Sequence, residues 1–94
     1  MFKTEKYLTC GVNETIPIVL QLIMWKMVAD IPIEKDYLQI FRLSGENGIQ
    51  TIVHEQEQPE YRKEYLFSSE NPVTAKVYVI DDESHSTMLL AEEY

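Results

Sequence analysis

The fold of this chain is decided by one apolar stretch, Ile16-Pro17-Ile18-Val19-Leu20-Gln21-Leu22-Ile23-Met24-Trp25-Lys26-Met27-Val28-Ala29. After Pro17, the only polar residues in this stretch are Gln21 and Lys26. Pro17 suits the first turn of a helix, where its missing N–H costs least, and Pro32 stops a helix that comes before it. The stretch therefore predicts one long helix over residues 16–30, with N-cap side chains available upstream at Asn13 and Thr15.

The predicted helix has no continuous polar side. Its expected core-facing stripe, at the i, i+3, i+4, i+7 spacing, consists of Ile16, Val19, Leu20, Ile23 and Met27. The other sides are also apolar, with Ile18, Leu22, Met24, Trp25 and Val28. A helix that is apolar all round must be covered all round, and a small domain covers one side with its own sheet. We therefore predict a protein interface at Ile18, Leu22 and Trp25, the alternative being that this side packs in the core of the same chain.

The remainder of the chain alternates between apolar and polar residues as strands do. We predict strands over residues 7–10, 36–43, 49–55, 61–67, 73–80 and 86–91, the last being the segment that could also form a short helix. Asn47-Gly48 is a strong hairpin signal, and turns this short favour antiparallel neighbours. The predicted fold is α+β, with one long apolar helix packed on a mainly antiparallel sheet of about five or six strands, in a single domain over residues 1–94.

Charge and cysteine content restrict the partners and the compartment. The chain has 94 residues and a formal net charge of −8, which repels phosphate backbones and anionic lipids. We therefore expect neither a nucleic-acid nor a membrane partner, and the apolar stretch is too short to cross a bilayer. A single cysteine, Cys10, and a start without the features of a signal peptide predict a reducing, cytoplasmic location. No cofactor is expected.

The densest group of candidate ligands is Asp81-Asp82-Glu83-Ser84-His85. Hard cations bind several oxygens that converge from a loop, so Asp81, Asp82 and His85 are candidate metal ligands. The spacing matches no calcium-binding loop, however, and Asp and Ser are also common in solvated turns. A metal site and an ordinary turn therefore both remain open.

Three further candidates fit structural roles better than chemical ones. His54 lacks the second histidine of a zinc motif, because Gln58 stands at the i+4 position, and it is predicted to be a half-exposed strand residue. Cys10 has no histidine nearby in the sequence and is expected to be a small buried apolar residue. The basic and aromatic segment 61–65 is crowded by glutamates, which favours cross-strand packing over nucleic-acid binding. No catalytic residue is predicted.

Four blocks of sequence, in this order, resemble a known family: Gly11-Val12-Asn13-Glu14-Thr15-Ile16-Pro17, Glu34-Lys35-Asp36-Tyr37-Leu38-Gln39-Ile40-Phe41, His54-Glu55-Gln56-Glu57-Gln58-Pro59, and Val79-Ile80-Asp81-Asp82 continuing through His85 to Tyr94. The chain is similar along nearly its whole length to the domain of unknown function 960 family, small intracellular proteins of Firmicutes. The family has no established activity, so the resemblance implies no catalytic or binding residues.

These observations favour a non-enzymatic protein-interaction domain that acts as a homo-oligomer. The alternative is a divalent-cation-dependent small-molecule binder or enzyme centred on the Asp81–His85 loop.

Overall fold

Six strands and two α-helices make up the structure, a computed structural model that describes residues 1–94. The strands are β1 (Glu5–Leu8), β2 (Leu38–Glu46), β3 (Ile49–Gln56), β4 (Tyr61–Ser68), β5 (Ala75–Asp81) and β6 (His85–Leu90). The helices are α1 (Cys10–Thr15) and α2 (Ile18–Ala29), and a 3-10 turn covers Ala91–Glu93. The last predicted strand is confirmed as β6. No helix has the length and apolar character needed to cross a membrane.

All six strands form one sheet in the order β1-β6-β5-β2-β3-β4. The β2–β3 hairpin turns at Asn47 and Gly48, whose φ angles of 52° and 74° suit a two-residue turn that matches the twist of the sheet. Every neighbouring pair is antiparallel except β1 and β6, in which Glu5 lies beside His85 and Leu8 beside Met88. The predicted α+β class with a mainly antiparallel sheet is confirmed, at six strands.

The long helix expected over residues 16–30 is shorter in the structure, where α2 has twelve residues (Ile18–Ala29), and a separate six-residue helix, α1, precedes it over Cys10–Thr15. Ile16, between them, has extended backbone angles (φ −106°, ψ 116°), because a residue that precedes proline is disfavoured in the helical region. The N-cap of α1 is Thr9, whose hydroxyl accepts a hydrogen bond from the Val12 N–H at 3.3 Å, so the first strand ends before residue 9. The N-cap of α2 is Pro17, without a side-chain hydrogen bond, so the N-caps expected at residues 13 and 15 are wrong: both residues lie within α1.

One face of the sheet is covered by the helices. Its most deeply buried side chains are Phe41, Ile52, Val77, Val79 and Met88, which cluster with Met24 of α2 and Val12 of α1. No α-helix covers the other face, where Tyr94 packs edge-on against Tyr78 with ring centroids 5.5 Å apart. The core therefore lies between the helices and one side of the sheet.

The orientation of α2 differs from the expected stripe. Its buried residues are Leu20, Gln21, Met24, Met27 and Val28, and Val19, expected in the core, is 55% exposed. The polar side chain of Gln21 can be buried at low cost because its amide donates a hydrogen bond to the Ile16 carbonyl at 2.8 Å. Since apolar residues occur on every side of α2, their spacing could not distinguish the buried side from the exposed one.

The two ends of the chain are joined through Glu93. Its carboxylate accepts hydrogen bonds from the Thr9 hydroxyl (2.6 Å), the Gly11 N–H (3.3 Å) and the Leu90 N–H (2.8 Å). The Thr9 hydroxyl is the main reason that the pKa of Glu93 lies below its usual range. A Cβ atom at Gly11 would lie 2.7 Å from this carboxylate, so a side chain at this position would displace the end of the Glu93 side chain.

Candidate functional site

Three large apolar side chains project from α2 into solvent. Ile18 is 71% exposed, Val19 55% and Leu22 61%, and their spacing of one and four residues places them together on one side of the helix. We call Ile18, Val19 and Leu22 the α2 outer surface. Leu8, 39% exposed at the end of β1, lines a shallow depression beside Ile18. The apolar surface thus extends from the helix toward the edge of the sheet.

The three residues predicted as an interface are not equivalent in the structure. Ile18 and Leu22 belong to the α2 outer surface, whereas Trp25 is half-buried and packs against the core. The Lys6 ammonium lies 5.6 Å from the centre of the Trp25 ring and shields it further. The sequence reasoning missed Val19, because the regular stripe assigned this residue to the core.

The Asp81–His85 loop is a turn closed by its own side chains. One carboxylate oxygen of Asp82 accepts hydrogen bonds from the Ser84 N–H (3.2 Å), the Ser84 hydroxyl (3.0 Å) and the His85 N–H (3.0 Å). Its other oxygen lies 3.1 Å from Nε2 of His85. The pKa of Asp82 is lowered chiefly by the hydrogen bond from the His85 backbone N–H. The fold thus uses the Asp82 carboxylate to hold the turn.

Asp81, the third candidate ligand, accepts a hydrogen bond from the Ser86 hydroxyl at 3.2 Å. The structure contains no group of three or more His, Cys, Asp or Glu side chains placed to hold a metal ion. It therefore brings Asp82 and His85 together, but as parts of one turn.

His54 is fully buried, which corrects the expectation of a half-exposed strand residue. Its ring stacks on Phe41 with centroids 4.3 Å apart, and its Nε2 lies 2.6 Å from the Gln39 side-chain oxygen. Because the Gln39 amide nitrogen donates to Gln56, the Gln39 oxygen is left as an acceptor and Nε2 of His54 carries the proton. The other ring nitrogen, Nδ1, is buried without a hydrogen-bond partner. Burial lowers the pKa of His54 to about 4, with a smaller contribution from the Lys63 charge.

Gln56 connects this histidine network to the surrounding loops. Its side-chain oxygen accepts hydrogen bonds from the Asp36 N–H (3.0 Å) and from Gln39 (2.8 Å). Its nitrogen donates to the carbonyls of Glu34 and Pro59, each at 2.8 Å. These contacts hold the connections at one end of the sheet, with His54 at the buried end of the network.

Cys10 is exposed in the first turn of α1, which corrects the expectation of a buried thiol. The hydrogen bonds of the two histidines go elsewhere, from His54 to Gln39 and between His85 and Ser84.

A cleft of about 190 Å³ lies between α2 and β4. It is lined by Ile23, Lys26, Met27, Asp30, Lys63 and Tyr65. Sequence reasoning missed this cleft, because its two walls come from segments that are distant in the chain and that only the sheet order brings together.

Comparison with known proteins places this architecture in a family. A family described as a staphylococcal protein of unknown function, DUF960, matches residues 5–93. The chain belongs to the DUF960 family. The resemblance noted in the sequence is thereby confirmed, and the DUF960 match includes both helices and all six strands.

A solved structure shares this DUF960 fold. The crystal structure of a protein of unknown function from Enterococcus faecalis aligns with a TM-score of 0.78 and 22% sequence identity, covering 97% of this chain and 91% of that chain. At this identity the likeness shows the fold alone. No curated protein matches the chain.

Proposed function

We propose that this DUF960 protein is a non-enzymatic interaction domain of the cytoplasm, and that it self-associates through the α2 outer surface. The observation that carries the proposal is the exposure of Ile18, Val19 and Leu22 on a helix whose opposite side forms the core. Exposed apolar side chains are common singly, but adjacent ones on a single rigid element are typical of a contact surface.

A second copy of the chain is the partner that this surface suits best. A twofold axis brings the same patch of both copies together, so one apolar surface covers the other. Full burial of an aliphatic side chain of this size contributes about 1.5–3 kcal/mol, and a symmetric contact counts each residue twice. None of the three residues is charged, so the contact between these side chains buries no charge.

The cation-dependent alternative has less support. The carboxylate of Asp82 already accepts hydrogen bonds from its own turn, and a cation would have to displace them. The single free thiol, Cys10, is compatible with a reducing compartment and supports the cytoplasmic location.

The test is a double substitution, Ile18→Glu with Leu22→Glu, examined by sedimentation velocity over a range of protein concentrations. We expect the parent to form a dimer and the variant to be a folded monomer, because an uncompensated charge is costly to bury at an interface. Both residues are exposed, so the fold of one chain should tolerate the change, whereas Trp25 packs against the core and is unsuitable for this test.

Ile49→Glu is the matched control, since Ile49 is a large apolar residue, 36% exposed, at the β2–β3 turn. It should retain the mass of the parent. A parent that stays monomeric at high concentration, or a double variant that keeps the dimer mass, would contradict the proposal.

A further inference from the structure

β4 is an edge strand with a long open side. It pairs only with β3, so over its eight residues the backbone groups that face away from β3 have no partner strand. Unpaired groups of this kind attract another strand, and proteins usually protect them with short strands, prolines or a covering loop. The opposite edge is protected in this way, since β1 has only four residues.

The cleft beside β4 would receive side chains from an added strand. Tyr65 and Lys63 lie two residues apart on the helix-facing side of β4, and Tyr65 is 45% exposed. Ile23 and Met27 of α2 form the apolar wall opposite them. Because strand side chains alternate, every second residue of an added strand would point into this cleft.

The charges along β4 leave one lysine without a partner. Arg62 pairs with Glu64 at 3.3 Å, and Lys26 of the cleft pairs with Asp30 at 3.0 Å. Lys63 makes no ion pair. A lysine on an edge strand discourages indiscriminate pairing, and a carboxylate placed opposite it makes the same position favourable.

We propose that β4 binds an extended segment of another protein by adding it to the sheet as an antiparallel strand. The segment would place an apolar side chain in the cleft at Tyr65 and, two residues later, a carboxylate against Lys63. Its recognition pattern is therefore an apolar residue, any residue, then Asp or Glu. This site uses different side chains from the α2 outer surface, so it does not depend on self-association.

The experiment follows backbone amide shifts of the isotopically labelled chain at pH 7.5 during titration with a capped peptide, Thr-Ser-Thr-Leu-Thr-Glu-Thr-Ser, of the same length as β4. We expect saturable shifts in β4 and at Ile23 and Met27. Replacing the peptide glutamate by lysine should weaken binding by about fivefold to tenfold, the range for losing one exposed ion pair and gaining a repulsion.

A charge swap makes the assignment specific. Lys63→Glu should weaken binding of the glutamate peptide by a similar factor and strengthen binding of the lysine peptide. Lys76→Glu, on β5, is the control, because it changes the net charge equally at an exposed strand residue away from the cleft and should leave the affinity unchanged.

Three results would overturn the proposal. The first is the absence of saturable shifts at millimolar peptide, and the second is an affinity that the charge swap does not change. The third is protection of the β4 amides that grows with protein concentration in the absence of peptide, since a second copy would then occupy the edge. Failure of the α2 double variant to dissociate a dimer would leave these outcomes unaffected, so the two proposals can fail separately.

Discussion

The inward side of β3 and the outward side of α2 are both exceptions to the rule that apolar residues are buried and polar ones exposed. β3 has polar residues inside, and α2 has apolar residues outside. β3 buries Gln50, His54 and Gln56, each no more than 2% exposed, whereas α2 leaves Ile18 and Leu22 more than 60% exposed. Hydrogen bonds satisfy the side chains of Gln50 and Gln56, which lowers the cost of burying them, whereas His54 is bonded at Nε2 and left without a partner at Nδ1. Gln50 alone makes four, to the Ser44, Thr51 and Val73 carbonyls and the Val73 N–H.

This difference separates residues that the fold requires from residues that it does not use. Removing a buried, hydrogen-bonded glutamine leaves its partners unsatisfied, which lowers the free energy of unfolding of the single chain. Removing an exposed isoleucine or leucine leaves nothing unsatisfied within the chain. The α2 outer surface is therefore free to serve another purpose, whereas the inward side of β3 is committed to stability.

The largest expected effect comes from Gln56→Ala. The substitution removes the partner of Asp36, Gln39, Glu34 and Pro59 at one end of the sheet. We expect the free energy of unfolding to fall by about 3 kcal/mol, since buried polar groups left unpaired cost about 1–3 kcal/mol each and solvent satisfies some of them after relaxation. Chemical denaturation at pH 7.5 measures the change.

Gln58→Ala is the control for this experiment, because Gln58 is exposed two residues further along the chain. It should change the stability by no more than about 0.5 kcal/mol, as other surface substitutions do. Equal effects of the two substitutions would show that the buried network contributes nothing.

A smaller effect is expected from the titration of His54. Its pKa is lowered to about 4 in the fold, against about 6.5 in the unfolded chain, so the unfolded state binds the proton first as the pH falls. Stability should therefore be complete above pH 6.5 and decrease between pH 6.5 and 4, with a loss of about 2 kcal/mol by pH 5. Denaturant midpoints at pH 7.5 and pH 5 measure it.

His54→Gln removes the titrating group and should flatten the dependence over this pH range. The carboxylates with lowered pKa values, Asp82 and Glu93, titrate at lower pH and so contribute little above pH 5. A variant that loses as much stability as the parent between pH 7.5 and 5 would show that His54 is not responsible.

The smallest effect is expected from Leu22→Ser, which truncates a side chain that is 61% exposed. At protein concentrations low enough to give a monomer, the unfolding free energy should change by no more than about 0.5 kcal/mol. At high concentration the parent should gain stability through association and the variant should not, because binding to the folded state stabilises it. A loss of 2 kcal/mol in the monomer would place Leu22 in the core.

Local patterns were sufficient to predict the class of fold and most strands. Alternation and the Asn47-Gly48 turn predict β2 and β3, and they place Gln50, Ile52 and His54 on one side of the same strand. They do not indicate that this side is buried, because the hydrogen bonds that permit it come from Val73 and Asp36, distant in the sequence.

The sheet order and the orientation of α2 also depend on distant contacts. The pairing of β1 with β6 joins the two ends of the chain, and no local signal predicts a parallel pair there. On α2, the sequence predicted Ile18 and Leu22 as outward-facing but could not separate Trp25 from Val19, because apolar residues surround the helix. The cleft at β4 could not be predicted without knowing which strand lies at the edge.

The parallel pairing of β1 with β6 has a mechanical consequence. A force applied to the two chain ends pulls β1 from its first residue and β6 from its last, so the strands slide against each other lengthwise. All the hydrogen bonds between Glu5–Leu8 and His85–Met88 then bear the load together, whereas an antiparallel pair pulled in this way would open one bond at a time. The bonds from Thr9 and Gly11 to Glu93 join the segments that directly follow these two strands. The pairing of β1, the shortest strand of the sheet, with β6 is thus the part of the domain that should resist stretching most strongly.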